Sequence, residues 1–144
     1  MKIYIATPVN GRKEKTLAQK RAAALYRVCE IIDILRKKYP DAEFHSSFDK
    51  DIRYIVGEAK IMGCCVQKVL ECDAICLDRG WSVSNGCRVE MTTAYYYGKE
   101  RIYIDDEDGT AFSLHCFVCK HCLPPSEREN GKMCKLEECK FEEV

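Results

Sequence analysis

Apolar and polar positions change rhythm several times along the chain, and each change marks an element. Residues 2–6 form a short β-rich run that breaks at Thr7-Pro-Val-Asn-Gly11. Over residues 13–38 the apolar positions take helical spacing, with Leu17, Ala24, Leu25, Val28, Ile31, Ile32 and Leu35 on one face, and Pro40 closes the segment. A brief strand is expected at 42–44, then a polar loop through Asp49 and a second amphipathic helix at 51–70. Residues 73–77 are almost unbroken in their apolarity, the pattern of a parallel strand covered on both faces. A loop then leads into a third helix at 84–97, with Gly98 placed as its C′ residue, and residues 101–104 read as a last strand.

Strands alternating with helices predict an α/β fold: an open doubly wound, flavodoxin- or Rossmann-like, mostly parallel sheet. Such sheets bind ligands outside the carboxyl ends of their strands, where the strand order reverses. The loops 7–12 and 78–86 are therefore the candidate ligand loops. Neither Gly-x-Gly-x-x-Gly nor a Walker A sequence occurs, which argues against a dinucleotide enzyme or a P-loop ATPase. A chain of 144 residues suits one domain with a small appendage. No apolar run approaches the roughly 18 residues of a membrane span, and the opening residues lack a secretory apolar core. The expectation is a cytoplasmic protein with no membrane partner.

Cysteine changes this picture. Of 11 cysteines, Cys29, Cys64, Cys65, Cys72, Cys76 and Cys87 lie in residues 1–108, mostly inside apolar patterns, while Cys116, Cys119, Cys122, Cys134 and Cys139 crowd into the last 29 residues. The division expected is an α/β domain at 1–108 and a Cys-rich acidic appendage at 109–144. Charge divides the same way: residues 1–104 hold 18 Lys/Arg against 13 Asp/Glu, and 105–144 hold 5 against 10, behind a net charge of zero. A mildly basic body suits a small anionic ligand and is too weakly charged for duplex nucleic acid. In the appendage, Cys119, Cys122, Cys134 and Cys139 are the preferred ligands of a structural zinc ion, whose binding energy would order a segment poor in large apolar residues. The other reading is a flexible acidic tail with reduced thiols. An iron–sulfur cluster fits the spacing less well, and no cofactor is expected for catalysis.

The segment Gly80-Trp-Ser-Val-Ser84-Asn-Gly86-Cys-Arg-Val-Glu90 carries the most chemistry. Ser84 is placed to cap the third helix, so that first-turn amides at Asn85 and Gly86, the helix dipole and a hydroxyl make an anion cradle. Glu90 lies about one turn on, and helical side chains lean toward the N-terminus, which points its carboxylate over the gap at Gly86. A carboxylate there can attack an anomeric carbon or stabilise an oxocarbenium-like charge. On spacing alone the other reading, Ser84 as a plain cap and Glu90 as a solvated helix residue, has the advantage that such caps are common. Trp81 either stacks on a base or covers the sheet edge. The run Tyr95-Tyr96-Tyr97 cannot share one helical face, so some rings should be buried and some should meet a partner.

Lys2-Ile-Tyr4-Ile-Ala-Thr-Pro8, Cys72-Asp73 at the third strand, and Gly80-Trp81-x-x-Ser84-x-Gly86-x-x-x-Glu90 followed by Ala94 and Gly98-Lys99 together resemble the nucleoside 2-deoxyribosyltransferase-like superfamily. The closest likeness is to its DUF4406-type branch, over residues 1 to about 104. The resemblance implies Glu90 as the nucleophile that takes the sugar and Tyr4 as the residue that positions it. Ser84, six residues before the glutamate, matches the phosphate-binding serine of the related deoxynucleoside 5′-monophosphate N-glycosidases. It also implies phosphate contacts from the first loop at Thr7, Asn10 and Gly11, with Asn10 standing where those enzymes tend to carry arginine and Arg12 available as a substitute. One departure is Cys65, at a position that is usually acidic. Asp78, at the end of the third strand, is then the candidate second catalytic carboxylate.

The expected activity is cleavage or transfer at the N-glycosidic bond of a (deoxy)nucleoside 5′-monophosphate. The expected partners are a small nucleotide or nucleoside and a second copy of the chain, because such proteins commonly dimerise. The alternatives are a non-catalytic nucleotide-binding or sensing domain, and an interaction protein ordered by metal.

Overall fold

The computed structural model describes residues 1–10 and 12–104. Gly11 and the Cys-rich segment, with Cys119, Cys122, Cys134 and Cys139, lie outside the described residues. Met1–Ile104 forms one compact unit. Its elements run β1 (Lys2–Ala6), α1 (Leu17–Lys38), β2 (Glu43–Ser46), α2 (Glu58–Glu71), β3 (Ala74–Leu77), a 3-10 turn (Trp81–Val83), α3 (Asn85–Tyr96) and β4 (Glu100–Tyr103). All strand pairs are parallel, in the order β2-β1-β3-β4. The doubly wound α/β expectation is met.

Strand alternation divides the core. Ile3 and Ile5 of β1, with Ala74 and Cys76 of β3, pack against Val28, Ile31 and Leu35 of α1. Burying such aliphatic side chains stabilises the fold by roughly 1.5–3 kcal/mol each. Tyr4 and its neighbours Ile75 and Leu77 take the other pleat, and Tyr4 meets α3 there through Glu90.

Two helices start later than the periodicity predicts. α1 begins at Leu17 because Thr16 and Gln19 form a capping box: Thr16 Oγ1 accepts from the Gln19 amide at 3.2 Å, and Gln19 Oε1 accepts from the Thr16 amide at 3.3 Å. Of its predicted face, Ala24, Val28, Ile31 and Leu35 are buried, whereas Leu17 and Leu25 are 58% and 41% exposed. The stripe is therefore narrower than its apolar content. α2 begins at Glu58 rather than near residue 51, because the Asp49 carboxylate accepts from the Ser46 amide and its carbonyl accepts from the amides of Ile52 and Arg53. These local bonds hold a turn whose Ile52 is buried. Gly57, at φ +104°, then turns the chain into the helix.

α3 ends with Gly98 at φ +65°, the left-handed C′ conformation expected of it. The tyrosine run differs from expectation, since Tyr95, Tyr96 and Tyr97 are all exposed. The inward positions of that helix belong to Cys87, Glu90, Met91 and Ala94, and the three rings follow after the last of them.

β1 is central, with β2 on one side and β3 on the other, so the chain reverses its winding between β1 and β3. Their carboxyl ends open the crevice in which this fold class binds ligands. Thr7 follows β1 there, and Asp78 follows β3.

Candidate active site

α3 enters the crevice by its N-terminus. Ser84 has extended backbone angles, φ −94° and ψ 121°, and its Oγ accepts from the Cys87 amide at 3.4 Å. The cap satisfies one first-turn amide, while those of Asn85 and Gly86 precede any intrahelical carbonyl. At Gly86 an added Cβ would meet Met62 Sδ at 4.0 Å, an ordinary van der Waals contact.

One turn further on, Glu90 is only 5% exposed. The Tyr4 hydroxyl donates to its Oε1 at 2.7 Å. Cys65 of α2 is buried as well, and its thiol interacts electrostatically with Glu90 and Tyr4. Burial raises the Glu90 carboxyl to about 7, against the opposing pull of the Tyr4 hydroxyl and the Cys65 thiol. Burial likewise lifts Cys65 to about 12 and Tyr4 well above its ordinary value, so both remain protonated. A buried carboxyl balanced near neutrality and aimed by the Tyr4 hydroxyl is suited to nucleophilic or acid–base work.

Asp78, expected as the second catalytic carboxylate, has an ion pair of its own. Its Oδ1 accepts from Arg27 Nε at 3.0 Å and Nη2 at 2.9 Å, and from the Arg79 amide at 2.8 Å. Arg27 belongs to α1, across the sheet from α3, and is part-buried. Sequence reasoning passed over Arg27. Its signal is position: it lies three residues after Ala24 and four before Ile31, at the edge of the inward stripe, where a cation needs an anion.

Trp81 is also used elsewhere. The ring is 2% exposed and packs on Tyr103 of β4, with centroids 6.3 Å apart. Of the two readings, base stacking and sheet-edge cover, the structure takes the second. Thr7 is buried at the end of β1, and its Oγ1 has no hydrogen-bond partner among the described residues. That hydroxyl is free to meet a ligand, and an unmet buried hydroxyl is otherwise costly. Asn10 is exposed and offers its carbonyl to Lys20 Nζ at 3.1 Å, while Arg12 Nε donates to the Pro8 carbonyl at 2.9 Å and staples the first loop. Gly11, between them, lies outside the described residues.

This arrangement is found on residues that match a known family. The match is to a domain of unknown function, DUF4406, over residues 1–103. The chain belongs to the DUF4406 family. Among solved structures the DUF4406 domain is similar to the 2-deoxyribosyltransferase from Leishmania mexicana, at 20% identity and a TM-score of 0.48, over 78% of this chain and 74% of that one. No curated protein matches the chain. No helix among the described residues is long and apolar enough to cross a membrane.

Proposed function

We propose that this DUF4406 domain cleaves or transfers at the N-glycosidic bond of a (deoxy)nucleoside 5′-monophosphate. The observation that carries the reading is the buried Tyr4–Glu90 hydrogen bond of 2.7 Å, one helical turn behind a serine-capped helix N-terminus. A phosphate at Ser84, Asn85 and Gly86 puts the sugar's anomeric carbon within reach of Glu90. The ionised carboxylate attacks that carbon, a C–O bond forms, the C–N bond breaks, and the base leaves with its electron pair and takes up a proton. Water or a second base then opens the glycosyl ester and returns the Glu90 carboxylate. Tyr4 orients Oε1 throughout, and the Thr7 hydroxyl is available to the substrate.

The pairing of Asp78 with Arg27 and the thiol at Cys65 favour a second reading, in which the same cradle binds a nucleotide without cleaving it. Incubation of the full chain with a panel of nucleoside 5′-monophosphates, with and without an acceptor base, separates the two. Chromatography should detect free or exchanged base, and Glu90→Gln should abolish it. Saturable binding without base release selects the binding domain, and absence of binding ends both readings. Association with a second copy is the use this reading gives the exposed Tyr95, Tyr96 and Tyr97, and sedimentation measures it.

A further inference from the structure

The positive charge of residues 1–104 is not spread evenly. Their 18 basic residues exceed their 13 acidic ones by five, and the stretch 12–21 alone holds five basic residues against one acidic. The fold brings this stretch together with the turn before α2. Arg21 Nη2 donates to the Arg53 carbonyl at 3.2 Å, Lys20 Nζ to the Asn10 carbonyl at 3.1 Å, and Arg12 Nε to the Pro8 carbonyl at 2.9 Å. The first loop, the start of α1 and Arg53 thus share one surface, to which the exposed Lys13 and Lys15 also belong.

These three acceptors are neutral, so the bonds hold the cations in place without offsetting their charge. None of Arg12, Lys13, Lys15, Lys20, Arg21 and Arg53 forms an ion pair with a described residue, whereas Arg27 pairs with Glu30 and Asp78, and Lys68 with Asp49 and Asp51. Glu14, the one acid within the stretch, pairs with none of them, and its Oε2 is buried without a hydrogen-bond partner among the described residues. Unpaired cations gathered on one face hold a positive potential toward an anionic partner. An aromatic ring stands on the same face: Tyr54 is 79% exposed, and the Arg53 guanidinium lies 5.3 Å from its ring centroid.

We propose that this surface binds single-stranded nucleic acid, with the cations on successive phosphates and the Tyr54 ring stacked on a base. Cations beside an exposed ring are the means by which proteins hold single strands without reading their sequence, since every base offers a π-face. A simple polyphosphate would engage the cations and leave Tyr54 idle. A duplex hides its base faces from the ring. The proposal is independent of the chemistry at Glu90.

The test is fluorescence anisotropy of a labelled oligothymidine of about twelve nucleotides with the full chain, titrated at salt from about 50 to 200 mM. Each phosphate engaged contributes about −0.7 to the slope of log K against log salt, so the six cations together predict a slope of about −4. Lys13→Ala combined with Lys15→Ala should reduce the magnitude of that slope by roughly 1.4 and weaken binding. Tyr54→Ala, at a side chain exposed enough to leave the fold intact, should weaken binding about 5- to 100-fold and keep the slope. Circular dichroism checks that both variants are folded. Lack of binding at the lowest salt overturns the proposal, as does a slope unmoved by the lysine changes. Unchanged affinity in folded Tyr54→Ala, or equal affinity for tripolyphosphate or for a duplex, reduces the surface to a phosphate patch and rejects the single-strand reading.

Discussion

Tyr4 and Glu90, 86 positions apart in the chain, share a buried hydrogen bond of 2.7 Å. It ties the central strand to the helix that opens into the crevice, and it fixes one carboxylate oxygen before any ligand arrives. Burial works against ionisation and the bond works for it. The result is a carboxyl raised to about 7.

This balance has a consequence for stability. The folded chain holds the Glu90 proton up to about 7, whereas the ordinary value is 4.5. The folded state binds more protons between those limits, so the Glu90 contribution to stability is full below about 4.5, declines as pH rises to about 7, and is level above. Glu90→Gln removes this loss. At pH 8 it should be more stable than the wild type by on the order of 3 kcal/mol, with the difference fading toward pH 4.5. Urea unfolding at several pH values measures this, and a pH-independent difference would contradict a neutral buried Glu90.

Tyr4→Phe deletes the hydroxyl that donates to Glu90. A hydrogen bond to a charged group is worth about 1.5–3 kcal/mol, so kcat/KM for base release should drop about 10- to 100-fold at pH 8. The Glu90 titration should also move upward. A drop in activity with no movement of that titration would assign Tyr4 to substrate contact instead.

Ser84 has two roles that separate experimentally. As an N-cap its loss in Ser84→Ala should cost about 1 kcal/mol in stability. As a phosphate ligand its loss should raise KM for nucleoside 5′-monophosphates and leave unphosphorylated nucleosides unaffected. Equal effects on both substrate classes would leave only the cap.

Gly86→Ala sets stability against function. The added methyl meets only Met62, at 4.0 Å, and alanine is the better helix former by up to about 1 kcal/mol. Thermal unfolding should shift upward while nucleotide affinity, read by calorimetry, falls because the methyl crowds the first-turn amides proposed to hold the phosphate. Unchanged affinity would place the phosphate elsewhere.

The zinc expectation rests on cysteine spacing. Protein purified without chelator should carry about one zinc ion, which Cys119→Ser together with Cys122→Ser removes. A metal content near zero disposes of the site.

The elements themselves were largely legible. Each helix and strand of the described residues appears where its periodicity puts it, and the C′ role of Gly98 follows from residue type alone. Helix starts were not. The later start of α1 depends on the reciprocal bonds of Thr16 and Gln19, and that of α2 on a turn closed by Asp49, which competes locally with a helical pattern that looks continuous. Spacing also could not decide between the uses of Trp81, because both require a large ring in the same loop.

What the sequence by itself determined is local and periodic: parallel strands between helices, a serine at a helix entrance, and a glutamate one turn behind it. Only the tertiary structure decided what each buried carboxylate pairs with. Glu90 and Asp78 are both buried, but strand alternation and the packing of α1 give Asp78 a guanidinium partner on one side of the sheet. On the other side Glu90 accepts from the neutral hydroxyl of Tyr4. Arg27 occupies the Asp78 carboxylate, whereas burial in an apolar setting lifts the Glu90 carboxyl to about 7. That difference arises from which residues meet across 86 positions of chain, and no spacing within a segment encodes it.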